Sequence, residues 1–226
     1  MKKNKSIFVF ILVFSLFFIY CVYAYDLPKW FPFNEENALS EWQEKVFKNR
    51  VLYTVEPKKE GGFLSAKSRD ACSGLVYRIK FNANELPLMS WYWKVVSFPK
   101  KKVGGKEEGG WLERDDYAAR VYVIFPSWNF MNIKCIEYIW DESLPEGKII
   151  PSPYSRNIML IVAESGKENL GQWVFEKRNI LKDYQKAFGR DRAPKVGAIA
   201  LMTDADNTLS TAEALYKDIR VGYKDE

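Results

Sequence analysis

The chain has no histidine among its 226 residues. Ser-His-Asp and Cys-His catalysis are therefore excluded, as is zinc held by imidazole, and any enzyme here would work with carboxylates, lysine, tyrosine or arginine. Cysteine is nearly as scarce, at three residues. Cys21 lies in an N-terminal apolar run, which leaves Cys72 and Cys135 as an even pair. Either they bridge or they stand as two separate buried thiols, since sequence alone does not bring two Cα atoms within reach. A surplus of charge is missing too. Lysine and arginine total 34 against 29 acidic residues, and without Lys2, Lys3 and Lys5 the balance is close to neutral, so a nucleic-acid partner has no support. No Pro/Ser linker, heptad pattern or internal repeat divides the chain, and a length of about two hundred residues beyond the leader fits one domain.

What is present begins with that leader. Lys2, Lys3 and Lys5 precede an apolar run from Ile7 to Ile19, and Val22-Tyr23-Ala24 offers a small residue for cleavage. The pattern predicts a signal peptide over 1–24, one domain over 25–226, and a periplasmic or secreted location. A membrane is met only through a leader left uncleaved, for which the run is barely long enough, and acylation of Cys21 is disfavoured by the bulky Tyr20 before it. Further on, Lys100, Lys101, Lys102 and Lys106 sit among Gly104, Gly105, Gly109 and Gly110. That stretch reads as a solvated loop, or as a contact for an anionic glycan or membrane surface.

Strand signals dominate the rest. Residues 75–81, 88–96, 118–125, 135–140, 158–163, 172–175, 196–202 and 214–221 are short, rich in aromatic or β-branched side chains, and bounded by turn formers. Many strands with little helix predict an all-β sandwich. One helix is expected over 179–188, where Ile180, Leu181, Tyr184 and Phe188 share a face between an Asn179 cap and Gly189, placed to cover an open end of the sandwich. A second short helix is expected over 39–47, carried by Leu39, Trp42, Val46 and Phe47.

Alternation then sorts the candidates for function. Ala119, Val121, Val123 and Phe125 point one way as core, while Asp116, Ala118, Arg120 and Tyr122 share the other face. Asp116 and Arg120 stand four strand positions apart, roughly 13 Å, so their partners come from neighbouring strands or a ligand. Trp91 and Trp93 share one face and Tyr92 and Lys94 the other; the tryptophans would stack on sugar rings or pack inside. In the last strand Leu215, Ile219 and Val221 read as apolar, with Tyr216, Asp218 and Arg220 opposite. If it joins the sheet of Asp116, then Asp116, Arg120, Asp218 and Arg220 line one polar concave surface. Beside it the run 196–202 ends in Asp204, Asp206, Asn207 and Thr208. Those oxygens would hold Ca²⁺ through Asp204, Asp206 and Asn207, touch a glycan, or close an Asx turn with no ligand, and the Gly and distal Glu of an EF-hand are missing.

Several spaced motifs together carry a resemblance. Trp91-Tyr92-Trp93-Lys94, the run Asp115-Asp116-Tyr117-Ala118-Ala119-Arg120-Val121-Tyr122-Val123, Ser152-Pro153-Tyr154, Asp183-Tyr184 with Ala187-Phe188-Gly189, Met202-Thr203-Asp204-Ala205-Asp206-Asn207-Thr208 and Tyr216-Lys217-Asp218-Ile219 resemble, in order, the bacterial domain-of-unknown-function family numbered 3047. The resemblance spans nearly all of the chain after the leader and implies a bacterial exported domain, with no activity attached. The C-terminal quarter is similar to the last strands of galactose-binding-like jelly rolls of carbohydrate-binding modules, which implies a jelly-roll β-sandwich and raises the expectation of glycan binding.

Two functions from different classes remain. The first is a non-catalytic binding module for a saccharide or an envelope protein, with Asp115, Asp116, Arg120, Asp204, Asp206, Asn207, Asp218, Arg220, Trp91 and Trp93 as ligand-binding candidates. The second is a glycan hydrolase or lyase that draws an acid/base pair from Asp115, Asp116, Asp204 and Asp206, and it requires two carboxylates roughly 5 to 10 Å apart in one cleft.

Overall fold

The computed structural model describes residues 26–101 and 115–225, except for the side chain of Phe130. The expected leader, Cys21, and the Lys/Gly-rich stretch 102–114 lie outside the described residues.

Thirteen strands form among them: β1 (Lys29–Phe31), β2 (Gln43–Lys48), β3 (Leu52–Glu56), β4 (Phe63–Arg69), β5 (Cys72–Phe81), β6 (Leu88–Ser97), β7 (Arg120–Phe125), β8 (Lys134–Asp141), β9 (Ile149–Pro151), β10 (Ile158–Ser165), β11 (Val174–Asn179), β12 (Val196–Asp204) and β13 (Thr211–Tyr223). They make two sheets. The six-stranded sheet runs β11-β6-β13-β4-β3, with β1 pairing on the far part of β13. The seven-stranded sheet runs β2-β5-β12-β7-β8-β10-β9. Its β8 and β10 pair in parallel, and the other pairings are antiparallel. This is the expected jelly-roll β-sandwich.

Aromatic side chains fill the space between the sheets. Trp91 and Trp93 of β6 meet Tyr138 and Trp140 of β8, with ring centroids 5.3 and 5.9 Å apart. Tyr216 crosses the interior from β13, where its hydroxyl donates to the Met202 carbonyl (2.7 Å) and accepts from the Arg120 N–H (3.2 Å). Apolar burial holds the sheets together, and this phenol supplies a polar tether between them.

The expected helix forms as α1 (Ile180–Phe188). Asn179 caps it by accepting from the Lys182 N–H at 2.9 Å, and Gly189 ends it in the left-handed region at φ 62°. Tyr184 packs on Phe125 at 4.8 Å, so the helix closes the sandwich at the end of β7 opposite Arg120.

Two expectations fail. Residues 39–47 form no helix: a turn leads into β2, which pairs with β5, while Trp42 packs between Phe31 and Tyr77. An edge pairing outweighs a weak helical period there. The faces of β13 also differ from a simple alternation. Ala212, Ala214 and Tyr216 point inward with Ile219 and Val221, and Leu215 points out. Asp218 sits at φ 50°, and its bulge shifts the register against β6 between Lys217 and Arg220, which exchanges the two faces midway. Cys72 and Cys135 are free thiols. They lie on β5 and β8, three strands apart in one sheet and about 14 Å across it, too far to bridge.

Candidate functional site

Arg120 organises one end of the seven-stranded sheet. It pairs with Met202 in register, so Asp204, two residues further along β12, stands on the same face. Tyr122 of β7 likewise pairs with Glu137 of β8. From this arrangement one edge of the guanidinium grips Asp204 with two hydrogen bonds, Nε to Oδ1 at 2.9 Å and Nη2 to Oδ2 at 2.7 Å. Its Nη1 donates to Glu137 Oε1 at 2.6 Å, an oxygen that also accepts from the Tyr122 hydroxyl at 3.0 Å. The Asp115 carbonyl takes a further bond from Nη2, and the Tyr117 ring lies 4.6 Å from Cζ.

The face expected to be wet is therefore closed. Asp115, Asp116, Arg120, Glu137 and Asp204 are all buried. Tyr117 packs over Ile139, Leu160 and Val162, and Tyr154 reaches across to within 3.5 Å of the Asn207 amide.

One guanidinium faces three carboxylates here. Burial pushes Asp204 up and Arg120 pulls it down; the two-pronged geometry is that of an ion pair. Burial would lower Arg120, but Asp204, Tyr122, Glu137 and Asp115 outweigh it and keep the guanidinium charged. Asp115 is the carboxylate left over. Its Oδ2 is 3.7 Å from Nη1, and its Oδ1 has no hydrogen-bond partner among the described residues. Burial, opposed by Arg120 and assisted by Glu137, raises it to about 7.

The loop after β12 is held from outside. Asp116 accepts four hydrogen bonds: from the Asn207 N–H and amide, both at 3.2 Å, and from the Thr208 N–H and hydroxyl at 2.7 and 2.6 Å. The Asp206 carbonyl accepts from Lys48 at 3.1 Å. This is a turn closed by a buried carboxylate. Ligand atoms of Cys72, Asp204 and Asp206 do lie within 4.8 Å of one another. Both Asp204 oxygens are already bound to Arg120 and the Asn207 NH2 is turned to Asp116, which leaves the Asp206 carboxylate and a thiol, too few free oxygens for calcium.

The other predicted residues lie elsewhere. Asp218 and Arg220 belong to the opposite sheet, so the shared concave surface does not exist. They flank the half-exposed Trp30, whose Nε1 donates to Asp218 at 3.3 Å and whose ring lies 5.2 Å from the Arg220 guanidinium. Trp91 and Trp93 are 0% exposed and take no part in a binding surface.

Their neighbours face outward. With both tryptophans inward, Tyr92 and Lys94 project from the outer face of the six-stranded sheet. Phe175 pairs with Tyr92 across β11 and β6, rings 4.8 Å apart, and remains 51% exposed. Trp173, just before β11, lies over the same face with its ring 6.0 Å from Phe63 of β4. Lys217 stands between Tyr92 and Trp173, at 5.2 and 4.6 Å, and Lys94 is 5.0 Å from Trp173. Lys58 caps Phe63 at 5.5 Å. The result is a row of aromatic rings on one face of the sheet, interleaved with ammonium groups. The Tyr92/Lys94 alternation was its one local signal; Phe63, Trp173, Phe175 and Lys217 come together only in the sheet.

The architecture is that of a jelly-roll sandwich, and comparison with solved structures finds the following similarities. One is the family 11 carbohydrate-binding module of a cellulosomal cellulase of Clostridium thermocellum, 12% identical over 82% of this chain and 90% of that one, with a TM-score of 0.44. Another is the mannan-recognising module TmCBM27, 10% identical over 90% and 100%, TM-score 0.42. A third is the xyloglucanase domain of NopAA from Sinorhizobium fredii, 11% identical over 81% and 93%, TM-score 0.43. No curated protein matches the chain. Residues 40–220 match the family described as "Protein of unknown function (DUF3047)", and the chain belongs to that family.

Proposed function

We propose that the protein is an exported, non-catalytic module that binds a saccharide on the outer face of its six-stranded sheet. The observation that carries this is the group of Phe63, Trp173, Tyr92 and Phe175, half-buried or exposed on one sheet face and fixed in place by their contacts with one another. Aromatic faces of this kind pack against the C–H faces of pyranose rings, and fixed rings lose little freedom on binding. Export rests on the leader pattern, which also supports a periplasmic or secreted location. The non-catalytic reading is supported by the fate of the expected acid/base residues. Asp204 is consumed by Arg120 and Asp116 by the loop at Asn207 and Thr208, so neither is free to move a proton.

A second reading has one observation in its favour. Asp115 and Glu137 lie at 3.7 and 2.6 Å from the same nitrogen, which brings them within about 6 Å of each other, near the spacing of a retaining hydrolase pair. A single experiment separates the two. The protein is applied to a glycan array, and bound polysaccharides are assayed for new reducing ends. Saturable binding that falls about tenfold or more in Trp173→Ala, with no reducing ends formed, is expected. Release of reducing ends that stops in Asp115→Asn would establish the hydrolase instead.

A further inference from the structure

We propose that the ligand of the aromatic face is an acidic saccharide, a uronic-acid polymer whose carboxylates are received by Lys94 and Lys217. The inference rests on the saccharide reading of that face and adds the ligand's charge. Lys94 pairs with Leu215 and Lys217 with Tyr92, so the two lysines are diagonal neighbours on adjacent strands of the outer face. Both ammonium groups converge on one indole, 5.0 and 4.6 Å from the Trp173 ring. Neither forms a salt bridge with a carboxylate among the described residues, whereas Lys67 and Lys177 of the same sheet are paired with Glu213 and Asp225. Two like charges on one ring repel each other, and a carboxylate placed beside Trp173 against the two ammonium groups relieves the repulsion while its sugar ring packs on the indole.

The rest of the row favours a carboxylated glycan over other polyanions. Among the described residues the cations stacked on these four rings are Lys58, Lys94 and Lys217, compact point charges that receive a carboxylate without imposing a fixed approach on it. The rings also pack in two pairs, Tyr92 tilted on Phe175 at 4.8 Å and Phe63 edge-on to Trp173 at 6.0 Å. Single-stranded nucleic acid calls for separate steps on which successive bases stack. Lys58 over Phe63 extends the basic row to its far end, matching a ligand that repeats its charge along a chain.

The test measures affinity of the purified protein for polygalacturonate, alginate, fully methyl-esterified polygalacturonate, oligo(dT) and phosphatidylserine vesicles. Wild type should bind at least one acidic polymer, more weakly as salt rises; esterification should cost about tenfold, as should the double variant Lys94→Gln/Lys217→Gln at unchanged melting temperature. Equal affinity for the acid and its ester would overturn the inference and leave the saccharide module standing. So would binding of neutral array glycans with neither acidic polymer bound. Tighter binding of oligo(dT) or of the vesicles, lost in the lysine variant, would overturn it in favour of that partner. Failure to bind any glycan would remove both readings.

Discussion

At the scale of the residue, Asp115 has the clearest measurable consequence. Its carboxyl is raised to about 7 by burial, from an ordinary value near 4, so the folded protein holds a proton there that the unfolded chain releases. Stability therefore falls as pH rises from about 4 to about 7 and levels off above, by no more than about 4 kcal/mol for this group. Asp206 and Glu176, also raised by burial, act in the same direction, and Glu176, at about 8, carries its share of the decline further. Urea midpoints across this range should show the decline in the wild type and a shallower one in Asp115→Asn. An identical slope in the variant would mean that Asp115 is ionised in the fold. Nothing in the sequence around Asp115-Asp116 told these neighbours apart. One is satisfied four times by a loop ninety positions away, and the other stands beside a shared cation with an oxygen unclaimed.

Among the elements, β13 bears the most. Its bulge at Asp218 puts a non-glycine residue in the left-handed region at φ 50°, a conformation that costs an L-residue with a Cβ about 1–2 kcal/mol. Asp218→Gly should leave the urea midpoint unchanged or slightly higher, while Asp218→Val should lower stability by about 1–2 kcal/mol. Loss of stability in the glycine variant equal to that in valine would show that the bond from Trp30, and not the backbone, is what matters. The strands richest in aromatic and β-branched residues were legible, because their burial is written into a period of two. β2, β3 and β4 were not. QEKVFK and FLSAKSR mix a few apolar residues with charged or small ones and LYTVE is only five residues long, and they are strands because their neighbours supply the pairing. The face swap within β13 was equally hidden, since one left-handed residue reverses an alternation without changing composition.

For the whole molecule, the two faces divide the work. The seven-stranded sheet spends its charges on itself, and the six-stranded sheet turns its aromatic rings toward solvent with Lys94 and Lys217, which form no salt bridge among the described residues. This arrangement makes a further expectation: calcium added after chelation should leave the melting temperature unchanged, because Asp204 is held by Arg120 and Asn207 by Asp116. A saturable upward shift would show that a metal displaces those bonds. The sandwich itself was legible from the density of short strands. The partition of residues between sheets was not, and it decided the site: Asp218 and Arg220 fell away from Arg120, and residues 63, 92, 94, 173, 175 and 217 were gathered from distant segments.

The position of β13 bears on how the chain leaves the ribosome. It lies between β4 and β6 and also pairs with β1, yet it follows all three in sequence. Until residue 223 has been made, β4 and β6 have no strand to join them, and Tyr216 is not there to bridge the sheets. The six-stranded sheet is thus closed by the last of its strands to be made, and its two halves wait for that strand.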